Sequence, residues 1–229
     1  MERRTLRRFL RIAVVLLCAI AVAASLRRLI VLDRPPDGGF PAGAALDLAF
    51  NAKAALTRAH VIPGLLLALL LPVQFSSTVR GRWPGVHRWL GRGLIITSLC
   101  VGLTGYPMVI DPVGGALEVS AILVYATAFL AALTVACVEI RRGNVARHRE
   151  WMIRAMAIVL GIATTRPIIG VFFATAAATG LTPAEFFGPA FWIGFTATAM
   201  AGEWYVRTSQ PRSGPPEGGP TTVVPRTSV

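Results

Sequence analysis

Three histidines are present in the chain, and two of them recur in similar text. The first stretch runs from Arg80 through Arg82, Trp83, His87, Arg88 and Trp89 to Arg92. The second runs from Arg142 through Arg147, His148, Arg149 and Trp151 to Arg154. Each has an Arg-Gly step, then His-Arg, then Trp, then Arg, and each leads into an apolar run. An imidazole nitrogen can hold a haem iron axially, and a guanidinium pairs well with a propionate or phosphate. The pattern therefore suits a ligand site built on His87, Arg88, His148, Arg149 and Arg154. Its occupants would be haem b, with His87 and His148 on the iron, or an anionic headgroup, a quinone or a phosphate. Two bis-His haems would need four histidines, so at most one could be held this way. The plainer alternative is interfacial anchoring, in which Trp and Arg sit at headgroup depth and the imidazoles are incidental.

Arg166 is the second chemical feature. It lies 12 residues beyond Arg154, about 18 Å along a helix, inside a long apolar run. A cation at that depth costs roughly 2.5–3.5 kcal/mol to insert and faces protein or a wet cavity. It is 18 residues, five full turns, after His148, so the two share a helix face. Pro167 follows directly and favours a kink near Ala163. Depth matching pairs Arg166 with Glu118 or His60. Glu203, four residues before Arg207, belongs nearer the surface with Arg92, Arg149 or Arg154. These groups either fix the bundle or line a cavity for a polar or anionic ligand, as in a small transporter or lipid-interacting protein.

The elements that must position these residues are apolar helices. Hydrophobic residues make up 54% of the 229 and charged ones 15%, with mean hydropathy +0.62. A soluble domain carries about 25% charged residues, so a soluble globular fold is excluded. Six segments are long enough to cross a bilayer, or nearly so: Ile12–Leu32 (interrupted by Arg27 and Arg28), Val61–Thr78, Leu94–Ile110, Ala116–Ile140, Ala155–Ala178 and Pro189–Val206. Backbone groups in lipid must be paired within the segment, which demands helix. Similarity between the two His-Arg stretches suggests a four-helix core made of two like hairpins.

The net charge of +12 would suggest nucleic acid in a soluble protein. Here it is arranged for orientation instead. Seventeen basic residues fall on one side of the six segments and five on the other. The rich side should be cytoplasmic, with both termini there. The first segment also resembles a secretory signal ending near Ala21-Val22-Ala23, and retention as a signal anchor is the preferred reading. Residues 33–59 form a connection on the opposite side, with a turn cluster at 33–39 and a short surface helix within 43–58. Thr182-Pro183-Ala184-Glu185 reads as a capping box, with a helix break at Gly188-Pro189. The tail from Thr208 onward has little to bury and reads as disordered.

Cys18, Cys100 and Cys137 lie in apolar runs without a CxxC pair, so no thiolate metal site or dithiol is expected. Nucleotide loops, HExxH and a serine elbow are missing, which leaves soluble-type hydrolase, kinase and dehydrogenase chemistry unsupported.

A longer series of motifs carries a resemblance. It comprises His60 before Pro63-Gly64, Pro72-Val73-Gln74-Phe75, His87-Arg88-Trp89-Leu90-Gly91-Arg92, His148-Arg149-Glu150-Trp151-Met152-Ile153-Arg154, Arg166 and Glu203. In this order they resemble the bacterial predicted membrane protein family, domain of unknown function 2306, over about residues 59–204. The resemblance implies an all-α, multi-pass protein of the bacterial inner membrane and supplies no activity. The expected organisation is a basic segment and first helix at 1–32, a connection at 33–59, a five-helix membrane domain at 60–206 and a tail at 207–229. Candidate ligand residues are His60, His87, Arg88, His148, Arg149, Arg154, Arg166 and Glu203. Expected partners are the lipid bilayer and a second copy or another membrane protein, with no nucleic acid. A scaffold without chemistry is the remaining alternative.

Overall fold

The computed structural model describes residues 3–34 and 41–209. Among these the chain is helical, with no strand. The long helices are α1 (Arg3–Val31), α3 (Ala54–Gln74), α5 (Pro84–Gly105), α6 (Gly115–Arg141), α7 (Val145–Thr179) and α8 (Pro183–Ser209). Two short ones, α2 (Pro41–Asn51) and α4 (Ser77–Arg82), and a 3-10 turn at Pro107–Val109 complete it. Helices α1, α3, α5, α6 and α7 are each long and apolar enough to cross a bilayer. The expected turn cluster lies partly, and the expected disordered tail almost wholly, outside the described residues.

Local chemistry sets the helix ends. Ser76 accepts a hydrogen bond from the Val79 amide at the start of α4, and Asn144 accepts from the Arg147 amide at the start of α7. Pro84 occupies the first turn of α5, where its missing N–H costs nothing. Helix α7 ends on Gly180 at φ +71°, a left-handed conformation that glycine adopts without strain. Glu185 accepts from both the amide and the hydroxyl of Thr182 at 2.8 Å, which forms the cap read from the sequence.

One sequence expectation needs correction. The helix is not broken at Gly188-Pro189: α8 continues through it. Gly188 is there for close approach, since a Cβ would stand 2.5 Å from Leu117 Cβ and 3.0 Å from the Glu118 amide nitrogen. Helix α7 contains Pro167 within its length.

Five helices close a ring. Helix α1 packs on α3, α3 on α5, α5 on α6, α6 on α7, and α7 back on α1. Helix α8 lies outside the ring against α6 and α7. The expected hairpins, α3 with α5 and α6 with α7, are adjacent, but α1 is an integral fifth member of the wall. One half of the ring is filled by apolar side chains from all five helices, among them Cys18, Leu71, Leu94, Phe129 and Met156. This half adjoins the arginine-rich helix ends, hereafter the basic end. At the opposite, far end the apolar packing moves off-axis into the α6–α7–α8 seam, where Phe186, Phe187 and Phe191 pack with Ala121 and Ile169.

Lipid gives helices no hydrophobic reason to associate, so close backbone packing carries the seam. Along α7 and α8, a Cβ on Gly161 would stand 2.4 Å from the Phe195 ring, and one on Gly194 3.0 Å from the Thr165 amide nitrogen.

Candidate functional site

The far half of the ring holds the polar residues. Arg166 on α7 is solvent-accessible, yet it lies deep among the helices. Its side chain is not packed into the apolar core, and the charged groups around it mark the polar end of the ring. Its guanidinium is within electrostatic reach of Arg27 and Arg28 on α1, Glu118 on α6 and His60 on α3. It makes no hydrogen bond or ion pair with another described residue.

His60 stands 2.9 Å through Nδ1 from Thr104 Oγ1 on α5. The Thr104 hydroxyl donates its one proton to the Cys100 carbonyl at 2.5 Å. Its oxygen therefore accepts from His60, which places a proton on Nδ1; the ring is also hydrogen-bonded to the Val101 backbone. Glu118 does not close onto Arg166 as the depth argument predicts. Its Oε2 accepts from the Gly114 amide at 2.6 Å and caps its own helix. A carboxylate four residues beyond a loop glycine satisfies an orphan amide more cheaply than it reaches across the ring.

A cover lies over this end of the ring. Asp47 on α2 is held by both Arg27 nitrogens at 3.1 and 3.0 Å and by Arg28 at 2.5 Å. Arg28 also stacks on the Phe50 ring, 4.0 Å from its centroid. Thr57 at the start of α3 donates to the Phe50 carbonyl at 3.1 Å. Leu46 reaches the α6–α7–α8 cluster on the other side. Helix α2 is thus tied to α1, α3 and the seam, and crosses the ring's far end. Burial alone would raise the Asp47 carboxyl, but its bonds to Arg27 and Arg28 outweigh this and hold it below the ordinary range.

The basic end is arranged differently. His148 Nδ1 donates to the Ala136 carbonyl at 2.9 Å. His87 is within electrostatic reach of His148, so the two imidazoles of the repeated motif do approach one another. The arginines of those motifs do not join them. Arg88 is exposed, Arg149 reaches the Tyr205 hydroxyl at 3.5 Å, and Arg154 pairs with Glu203 at 2.7 Å. Glu203 also binds Arg207, so it belongs to the surface network, as its depth predicts. Of the two imidazoles, His148 is held through Nδ1 by the Ala136 carbonyl, while His87 Nδ1 is buried without a hydrogen-bond partner.

Sequence reasoning assigned no site role to Asp47, Thr104 or Gln74, the last being named only within the Pro72-Val73-Gln74-Phe75 motif. Asp47 is the single acid of the Ala-rich stretch 43–58, and Gln74 a lone amide closing an apolar run, so both carried a faint signal. Thr104 carried none, being one of several threonines in spans.

These features define an all-α integral membrane protein with a polar interior at one end. A family model described as predicted membrane protein (DUF2306) matches residues 57–200, and the chain belongs to that family. The match takes in His60, both His-Arg motifs and Arg166, and leaves out α1 and α2. No curated protein and no solved structure matches the chain.

Proposed function

We propose that this protein binds a small anion, a carboxylate or phosphate, at the polar, far end of the ring. One observation carries the reading: Arg166 lies inside the bundle, accessible and without an ion-pair partner among the described residues. A permanent cation in that position demands a counter-charge; Glu118 lies within electrostatic reach but forms no ion pair with it, its carboxylate accepting from the Gly114 amide instead. The guanidinium supplies charge and a fork of donors. His60 supplies an imidazole within electrostatic reach of it. The positive-inside rule places the basic end in the cytoplasm, so the far end and its cover α2 face the outside of a bacterial inner membrane. Helix α8 is not among the five helices long and apolar enough to cross, but at 27 residues it has the length for a sixth crossing; counted so, it puts both ends of the chain in the cytoplasm. The apolar packing of the basic half separates Arg166 from the basic end.

A ligand that binds only the folded state raises its stability in proportion to the logarithm of its concentration. Purified protein in detergent, titrated with acetate, succinate, phosphate and sulfate at constant ionic strength, should show a saturable rise in Tm for at least one anion. Arg166→Gln should abolish it. An identical response in both proteins, or none in either, refutes the reading.

A further inference from the structure

Three buried side-chain atoms among the described residues have no hydrogen-bond partner: Gln74 Oε1, His87 Nδ1 and Ser98 Oγ. Two of them meet at the basic end, well away from Arg166. Gln74 closes α3, and its Nε2 donates to the His87 carbonyl at 3.3 Å on the first turn of α5. That bond fixes the amide's orientation, so Oε1 can only be an acceptor. Gly91 makes the room, since a Cβ there would stand 2.9 Å from Gln74 Nε2. Across the ring, His148 has its proton on Nδ1, committed to the Ala136 carbonyl. Its Nε2 is then an acceptor as well, and His87 lies within electrostatic reach of it.

The His87 ring is also hydrogen-bonded to the Gln74 backbone, so with Nδ1 unpartnered the other nitrogen is the donor and Nδ1 an acceptor. Gln74 Oε1 and His87 Nδ1, both buried, therefore ask for hydrogen-bond donors, because a buried unpaired acceptor costs about 1–3 kcal/mol. A metal cation is the wrong occupant: Arg80 is within electrostatic reach of His87, and like charge opposes cation binding. An anion is wrong too, since it would bring acceptors to acceptors. A neutral hydroxyl fits. The surroundings say what body carries it. Leu71, Leu90, Trp151 and Met152 form the apolar packing beside these residues, and the arginine-rich helix ends put the cluster at headgroup depth.

We infer that Gln74, His87 and His148 form a second binding site, for the hydroxyl end of a lipid-soluble molecule such as a hydroquinone. The same chemistry would be offered by a lipid hydroxyl headgroup. The acceptor-only character gives the site a sense of direction: it favours a quinol, which donates, over the corresponding quinone, which only accepts. No electron transfer is implied.

The full chain in nanodiscs at pH 8 provides the test, with intrinsic tryptophan fluorescence, to which Trp151 beside the site contributes, as the readout. Decylubiquinol kept reduced, decylubiquinone and dioleoylglycerol are titrated separately, and Kd is taken from the concentration dependence. Saturable quinol binding at least tenfold tighter than quinone is expected on the unaltered protein, which needs no variant to fold. Gln74→Leu, checked for an unchanged Tm, should weaken quinol binding at least fivefold, while Arg166→Gln should leave it unchanged. Tighter binding of dioleoylglycerol than of quinol would support the hydroxyl site with a lipid as its source. Equal binding of quinol and quinone, or no saturable binding of any probe, would overturn the inference and assign the acceptors to structural water. Because the Arg166 variant is read in parallel, failure here and failure of the anion reading are separable.

Discussion

Arg28 and Asp47 are joined at 2.5 Å between two helices that the sequence separates by a turn cluster, and both side chains are largely shielded. The pair decides whether α2 covers the ring. Asp47→Asn keeps the shape and removes the charge, leaving Arg28 half-satisfied. Hydrogen bonds to charged groups are worth about 1.5–3 kcal/mol, so amide exchange over residues 41–51 should accelerate by roughly tenfold to a hundredfold. Exchange in α6 and α7 should stay unchanged.

The same contact has a pH signature. The Asp47 carboxyl is held below its ordinary range, so the unfolded or opened state takes up protons first. The stabilisation is complete above the ordinary carboxylate pKa of about 3.9 and is lost as pH falls through the lower value of the closed state. Protection of α2 should be level from pH 8 to about pH 4 and fall only below that. A loss centred near pH 6 would mean that another group holds the cover.

The α7–α8 seam tests the packing argument. Gly194→Ala would put a methyl group 3.0 Å from the Thr165 amide nitrogen and 3.1 Å from the Gly161 carbonyl oxygen. Backbone cannot swing aside as a side chain can, so overpacking of about 1–3 kcal/mol is expected, read as a lower Tm in detergent. Gly170→Ala is the control. Nothing lies within 4 Å of its Cβ position, and alanine is the better helix former by up to about 1 kcal/mol. Equal effects of the two changes would mean that the seam is loose.

Orientation has a direct check. A reporter active only outside the cytoplasm should be silent after Gly143, in the basic α6–α7 turn, and active after Asp111, between α5 and α6. The reverse would place both His-Arg motifs outside and turn the Arg166 end towards the cytoplasm.

What the sequence discloses about this fold follows from the strength of each signal. Apolar runs the length of a bilayer leave helix as the only option, so α3, α5, α6 and α7 could be read directly. The depth of Glu203 followed from helical rise, which left Arg92, Arg149 and Arg154 as partners; the fold selects Arg154. Pairing across the ring did not. Arg27 and Arg28 looked like interruptions of the first helix until α2 folded back and brought Asp47 to them. The partner of a charge depends on which helices adjoin, and one-dimensional depth is blind to that. The same limit sent Glu118 to Arg166 on paper, whereas the carboxylate found the Gly114 amide of its own helix start.

Glu118 therefore gives the sharpest test of what Arg166 is for. Were the two a structural ion pair, Arg166→Leu would strand a buried carboxylate and destabilise the protein by about 3–5 kcal/mol. Glu118→Gln would then restore the loss. The geometry predicts otherwise. Glu118→Gln should weaken the start of α6 by itself, through the Gly114 contact, by about 0.5–2 kcal/mol. Arg166→Leu should cost little or even stabilise, since it removes a cation whose insertion costs roughly 2.5–3.5 kcal/mol. The double variant should then show a coupling below about 0.5 kcal/mol, while anion-dependent stabilisation is lost in every protein lacking Arg166. His60→Ala should keep a weakened response, because the charge remains and only the neighbouring imidazole is gone. A coupling of several kcal/mol between Arg166 and Glu118 in thermal unfolding would return Arg166 to a structural role and sink the anion site.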